Sequence, residues 1–135
     1  MLPILKVVFV ALLTASGGAI AQDLDAAWLV GSWQSETQSP RGRAVEIVVK
    51  SDGSFQGEEQ SARLGTVQFR DGKWEIAGDT VTFNYRTDVQ KRFKGQNIDS
   101  STWTWTLKRN GEDLEGTRVD QSTSRQNAIK LKKSK

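Results

Sequence analysis

Residues that could perform catalysis are few in this 135-residue chain, which contains neither histidine nor cysteine. It therefore has no imidazole base, no thiolate nucleophile and none of the usual zinc ligands. Its carboxylate pairs, Glu58-Glu59 and Glu112-Asp113, are adjacent in the sequence. Neighbouring side chains of a strand point to opposite faces, so neither pair suits acid–base catalysis. We expect a protein that is not an enzyme and that uses no metal or other cofactor.

Residues suited to binding are better represented, because the chain has five tryptophans, five phenylalanines and one tyrosine. The segment "STWTWTLK" (101–108) alternates two of the tryptophans with threonines. In a β-strand this period of two places Trp103 and Trp105 on one buried face, while the threonines face water. Several such faces around one interior give an aromatic lining, which is the usual composition of a small-molecule site.

Charged residues fall on the same period in two other predicted strands. If Phe55 faces inward, Glu59 also does, and if Leu114 faces inward, Arg118 and Asp120 follow. Charges inside a barrel must be paired or bound by a ligand. The alternative is a bulge after Leu114, which turns Arg118 outward into solvent.

The predicted ligand-binding residues combine these aromatic and polar positions. They are Trp33, Phe55, Glu59, Trp74, Tyr85, Trp103, Trp105 and Arg118. The expected ligand is a small apolar or amphipathic molecule. Two interiors remain open at this point: a small cavity, or a core filled by the protein's own side chains. Gly57 and Gly116 favour spare room or a bend in their strands.

The elements that position these residues are β-strands separated by turn signals along nearly the whole chain. "RAVEIVVK" (43–50) alternates apolar and polar residues, and Asn110-Gly111 joins "STWTWTLK" to "DLEGTRVD" (113–120) as a hairpin. The only helical pattern is the short "DLDAAWLV" (23–30). The sequence predicts an all-β fold, an eight-stranded antiparallel up-and-down β-barrel with a short N-terminal helical turn.

The segment "AWLVGSW" (27–33) places Gly31-x-Trp33 after this helical turn and at the start of the first strand. It resembles the N-terminal signature of the lipocalin and calycin superfamily. The resemblance implies that Trp33 closes one end of the barrel, beneath a cation from the last strand. Arg125 or Lys130 would supply that cation over the indole face. The chain is shorter than classical lipocalins, lacks their disulfides and has no evident C-terminal helix.

Residues 1–21, "MLPILKVVFVALLTASGGAIA", have the features of a secretory signal peptide. Lys6 precedes an apolar run, and Ala19-Ile20-Ala21 forms a small-residue cleavage site. We expect cleavage after Ala21, which leaves residues 22–135 as one lipocalin-like β-barrel domain, periplasmic or secreted. The apolar run is too short to span a bilayer, so no integral membrane segment is expected after cleavage.

Charge distribution argues against a nucleic-acid partner, because the net charge of +3 is small and evenly spread. The basic tail "RQNAIKLKKSK" (125–135) is interpreted as a solvated edge, with docking to a partner or an anionic surface as the alternative. The polar stretch 86–101, in which Phe93 lies between Arg92 and Lys94, is interpreted as an extended hairpin. A lid or a partner contact is its alternative function.

Two functions fit these observations. The first is an exported non-enzymatic protein that holds its ligand in an aromatic-lined barrel. The alternative is a periplasmic inhibitor or protein-interaction module acting through loops or the N-terminal segment. Small periplasmic barrels that inhibit metalloproteases are similar in size, in the early Gly-x-Trp and in a lysine-rich last strand, but they carry a disulfide that this chain cannot form. A helix capping the barrel favours ligand enclosure, whereas a protruding Gln22–Asp25 favours insertion into another protein.

Overall fold

The computed structural model describes residues 24–35, 44–61, 65–88 and 90–134. The predicted signal peptide and its cleavage site lie outside these residues. Among the described residues, no helix has the length and apolar character needed to cross a membrane. The elements, in chain order, are α1 (Ala26–Leu29), β1 (Gly31–Ser35), β2 (Ala44–Val49), β3 (Phe55–Ser61), β4 (Gly65–Gln68), β5 (Arg70–Ala77), β6 (Thr80–Thr87), β7 (Lys91–Phe93), β8 (Gln96–Ile98), β9 (Ser101–Asn110), β10 (Asp113–Asp120) and β11 (Arg125–Lys133).

Nine of these strands form one antiparallel sheet in the order β4-β3-β2-β1-β11-β10-β9-β6-β5. Within this order β1 and β11, the first and last strands of the chain, pair with each other. The two ends of the sheet meet where β3 lies beside the β4–β5 segment. There the backbone N–H groups of Phe69 and Trp74 donate to the carbonyls of Gly57 and Gly53, each at 2.9 Å. The sheet is therefore a nearly closed barrel, and the predicted antiparallel β-barrel is confirmed.

The sheet has one strand more than the predicted eight because β4 and β5 are consecutive parts of one bent segment. β4 pairs with β3, whereas β5 pairs with β6, so the bend transfers the chain from one neighbour to the other. A Cβ atom at Gly72 would lie 2.3 Å from the carbonyl oxygen of Phe55, so glycine permits the close approach of the two strands. The polar stretch 86–101 contains the predicted hairpin, formed by β7 and β8 outside the main sheet.

The two ends of the barrel differ. We call the end where β1 begins and β11 ends the floor, and the opposite end the mouth. Helix α1 lies at the floor, where the Asp25 side chain accepts a hydrogen bond of 3.0 Å from the N–H of Ala27. The N–H of Leu24 donates to the carbonyl of Gly78, in the turn between β5 and β6, at 2.9 Å. The chain from Leu24 onward is thus held against the barrel, the arrangement that favours ligand enclosure.

Burial follows the predicted period of two. The apolar core comprises Leu24, Leu29, Trp33, Val45, Ile47, Val49, Phe55, Phe69, Val81, Phe83, Tyr85, Trp105, Leu107, Leu114, Ile129 and Leu131. Large side chains that are fully buried, such as Leu29, Trp33 and Leu131, fill the floor half. The buried polar residues Thr87, Ser101, Arg118 and Asp120 all lie toward the mouth ends of their strands. The interior is therefore apolar at the floor and mixed at the mouth.

Candidate functional site

A buried ion pair, Arg118 with Glu59, lies in the mouth half of the barrel. The Nη1 atom of Arg118 donates to Oε1 of Glu59 at 3.2 Å, and the two side chains are only 8% and 12% exposed. Arg118 lies on the same face of β10 as the buried Leu114, while Thr117 between them is exposed. The inward register predicted for Arg118 is therefore correct, and the alternative with a bulge and a solvated Arg118 is wrong.

The ion pair crosses the barrel interior because its two strands lie on opposite walls. Between β3 and β10 lie β2, β1 and β11 on one side, and the β4–β5 segment, β6 and β9 on the other. The pair satisfies part of the guanidinium only. The Nε atom of Arg118 is buried and has no hydrogen-bond partner among the described residues. A buried donor in this condition costs about 1–3 kcal/mol relative to a satisfied one.

An aromatic cluster surrounds Tyr85, next to this pair. The Tyr85 ring stacks on Phe69 with centroids 4.1 Å apart, and it meets Trp105 edge to face at 5.3 Å. Trp103 lies directly opposite Tyr85 in the β6–β9 register, with its ring parallel and 6.4 Å away. Phe55 reaches the same ring from β3 at 5.9 Å. Side chains from several walls therefore converge on one tyrosine.

The Tyr85 hydroxyl is the polar centre of this cluster. It accepts a hydrogen bond of 3.0 Å from Nε1 of Trp105. Burial raises the pKa of Tyr85 far above its ordinary value near 10, and the Glu59 carboxylate acts in the same direction while Arg118 opposes it. The hydroxyl therefore stays protonated even at alkaline pH, and it can donate a hydrogen bond as well as accept one.

Two further contacts define the mouth half. The guanidinium carbon of Arg118 lies 5.4 Å from the ring centre of the partly exposed Trp103, within range of a cation–π interaction. Asp120, which is 1% exposed, accepts hydrogen bonds from the backbone N–H and the hydroxyl of Ser122 at 3.0 and 2.6 Å. Asp120 therefore fixes the turn between β10 and β11, which bounds the mouth.

The structure brings most of the predicted site residues together and separates two of them. Contacts around Tyr85 and the ion pair link Phe55, Glu59, Tyr85, Trp103, Trp105 and Arg118. Trp33 lies at the floor, where its Nε1 donates to the Leu29 carbonyl at 2.8 Å. Trp74 donates to the carbonyl of Lys50 at 2.8 Å, in the turn before β3. The ligand-binding role of all eight residues stays a prediction.

The cation expected over Trp33 was assigned to the wrong residues of the last strand. Nζ of Lys133 lies 5.3 Å from the Trp33 ring centre, whereas Arg125 lies over Phe93 at 5.2 Å. Lys130 instead forms an ion pair with β10. The reason is the antiparallel closure of the barrel: β1 begins beside the end of β11, so Trp33 is the direct partner of Lys133.

Phe69 was missing from the predicted site, although it stacks on Tyr85. The segment "GTVQF" (65–69) alternates polar and apolar residues as a strand does, but the break between β4 and β5 that turns the Phe69 ring onto Tyr85 has no clear signal in the sequence. Gly57 was expected to leave spare room or to mark a bend, but its observed role is different. A Cβ atom there would lie 2.7 Å from the Ile47 side chain and 2.9 Å from the Phe69 ring. The glycine therefore allows close packing inside the barrel.

Comparison of the chain with protein-family models, with curated proteins and with solved structures gave no match. The lipocalin assignment thus rests on the Gly31-x-Trp33 motif and stays a prediction. The geometry itself provides a barrel with a buried aromatic cluster and a polar group that crosses it, which is compatible with binding a small ligand.

Proposed function

We propose that the mature chain is an exported, non-enzymatic binding protein that holds a small apolar or amphipathic molecule in the mouth half of its barrel. The observation that carries the proposal is the buried Nε of Arg118, which has no hydrogen-bond partner among the described residues and lies beside the Tyr85 cluster. Small-molecule sites combine an apolar lining with a few polar groups that orient the ligand. The aromatic rings supply the apolar lining, and Arg118 supplies the polar group.

The distribution of burial supports entry from the mouth. Floor residues such as Leu29, Trp33 and Leu107 are completely buried, and helix α1 covers that end. In the mouth half, Trp103 and Glu59 keep partial exposure although both lie on inward positions. A ligand bound at the mouth would cover Trp103, which lies within cation–π range of Arg118.

The alternative, an inhibitor or protein-interaction module, receives less support from the same contacts. Insertion of Gln22–Asp25 into another protein requires that segment to be free, yet its two described residues are held: Leu24 is bonded to the barrel and Asp25 caps α1. Phe93 in the β7–β8 hairpin is only partly exposed, and Lys94 and Arg125 lie over its ring.

We further propose, from the signal sequence and the Gly31-x-Trp33 motif, a lipocalin-like protein of the periplasm or the cell exterior.

Native mass spectrometry of the mature protein, purified without detergent from an exporting host, tests the proposal. We expect an additional mass that disappears when the protein is denatured. Trp103→Ala should reduce the occupied fraction, because it removes a wall of the mouth half. Trp28→Ala is the matched control, since Trp28 is also a partly exposed tryptophan but lies over the floor. A mass equal to that of the polypeptide alone, together with no binding of apolar probes, would contradict the proposal.

A further inference from the structure

We infer that the ligand presents an uncharged hydrogen-bond acceptor, such as a ketone or carboxamide oxygen, to Nε of Arg118. The inference rests on the proposed function and specifies the chemistry of the ligand. Its starting point is that one N–H group of the Arg118 guanidinium is bonded and another is not. One edge, through Nη1, is bonded to Glu59, whereas the Nε–H is buried without a partner among the described residues.

Charge balance selects a neutral acceptor over a carboxylate. Glu59 already offsets the charge of Arg118 at 3.2 Å, and Asp120 is a second buried carboxylate on the same face of β10. A carboxylate ligand would add another negative charge to this poorly solvated interior, beside the Glu59 carboxylate that already pairs with Arg118. Burying an unpaired charge is far more costly than burying a neutral carbonyl that accepts one hydrogen bond.

The surroundings of Arg118 indicate what the acceptor is attached to. Its guanidinium lies 5.4 Å from the Trp103 ring centre, and the Trp103 ring is parallel to that of Tyr85. An acceptor bonded to Nε would therefore place its adjoining atoms next to an aromatic wall. Flat or ring-containing apolar groups pack well on such a surface. The expected ligand class is an aromatic or cyclic apolar molecule with a carbonyl-type oxygen at one end.

Three naphthalenes of similar size separate the contributions of charge and hydrogen bonding. They are 2-acetylnaphthalene with a neutral acceptor, 2-ethylnaphthalene with none, and 2-naphthoate with a carboxylate. Dissociation constants for the wild-type mature protein are measured by quenching of tryptophan fluorescence. We expect the acetyl compound to bind about 10-fold more tightly than the ethyl compound, the value of one satisfied buried donor. The carboxylate should bind most weakly.

Arg118→Lys is the decisive variant. Lysine keeps a cation for Glu59 but has a methylene group where arginine has its Nε–H. The preference for the acetyl over the ethyl compound should fall below about 2-fold, while the affinity for the ethyl compound changes little. Near-UV circular dichroism checks that the aromatic cluster is intact. If this variant does not fold, the double variant Arg118→Met with Glu59→Gln removes both charges and the donor together.

The possible failures are distinguishable. Equal affinity for the acetyl and ethyl compounds would overturn the inference and leave ligand binding intact. Tightest binding of 2-naphthoate would also overturn it, since it would assign Arg118 to an anion. A preference for the acetyl compound that survives Arg118→Lys would assign the acceptor to another donor. Binding of none of the three, with a ligand-free native mass, would contradict the proposed function itself.

Discussion

Arg118 and Glu59 form a buried ion pair of 3.2 Å between opposite walls of the barrel, from two strands that share no backbone pairing. The contact joins β3, in the first half of the chain, to β10, near its end. It therefore links parts of the fold that are distant in sequence as well as on the sheet. An ion pair in this position stabilises the fold only while both partners are present.

The pair should show strong coupling in a double-mutant cycle. Arg118→Met alone buries Glu59 without its cation, and we expect it to lower the free energy of unfolding by about 3–5 kcal/mol. The double variant Arg118→Met with Glu59→Gln should be less destabilised than that single variant, because the Glu59 carboxylate that lost its cation is then removed as well. Urea unfolding followed by tryptophan fluorescence measures both. Additive effects of the two substitutions would show that the ion pair carries no coupling energy.

Much of the fold was predictable because its signals are local. The period of two identified the inward positions of Phe55 and Trp105, and both are buried. For Arg118 it left an inward register and a bulge open, and the inward register is the one observed. Asn110-Gly111 correctly joined β9 to β10. Such signals depend on neighbouring residues along one strand or one hairpin, so no knowledge of the partner walls is needed.

The errors arose where two distant strands meet. Lys133, not Arg125 or Lys130, lies over Trp33, because barrel closure sets the register of β1 against β11. Phe69 reaches Tyr85 through a bend that exchanges strand partners. No turn sequence sets the register of β1 against β11 or brings Phe69 to Tyr85. The order of the first and last strands in a closed antiparallel barrel would, however, have favoured a cation at the very end of β11.

Trp33 should be among the most important residues for stability. It is completely buried, and its indole N–H is bonded to Leu29 in the helix that covers the floor. We expect Trp33→Ala to lower the free energy of unfolding by about 3–5 kcal/mol, the range for deletion of a large core aromatic. Trp28→Ala, at a partly exposed ring that contacts Trp33, should cost less. A Trp33→Ala effect below about 1 kcal/mol in urea unfolding would contradict a sealing role.

Lys133 and Lys130 provide a matched test of the cation at the floor. Lys133→Met removes a charge that lies 5.3 Å from the Trp33 ring and 5.5 Å from the Trp28 ring. We expect a loss of about 0.5–1 kcal/mol, typical of an exposed cation–π contact. Lys130→Met, on the same strand, should change stability by no more than about 0.5 kcal/mol. Equal effects of the two substitutions in parallel urea titrations would contradict a cation–π contribution from Lys133.

Tyr85 makes the protein's stability at alkaline pH dependent on one side chain. It is the chain's single tyrosine, and burial raises its pKa far above the ordinary value near 10. Below pH 10 the residue is protonated in both folded and unfolded chains and contributes no pH dependence. Above pH 10 the unfolded chain loses the phenolic proton while the folded chain keeps it, so stability falls by about 1.4 kcal/mol per pH unit.

The ionisation of Tyr85 can be followed directly, since no second tyrosine contributes to the ultraviolet absorbance of tyrosinate. We expect the folded protein at pH 11 to show almost none of this absorbance, and urea to make it appear together with unfolding. Tyr85→Phe should abolish both the absorbance and this part of the pH dependence. At neutral pH the same variant should cost about 1–3 kcal/mol, because the buried Trp105 indole loses its acceptor. Full ionisation near pH 10 with retained near-UV circular dichroism would instead mean that solvent reaches the Tyr85 hydroxyl in the folded barrel.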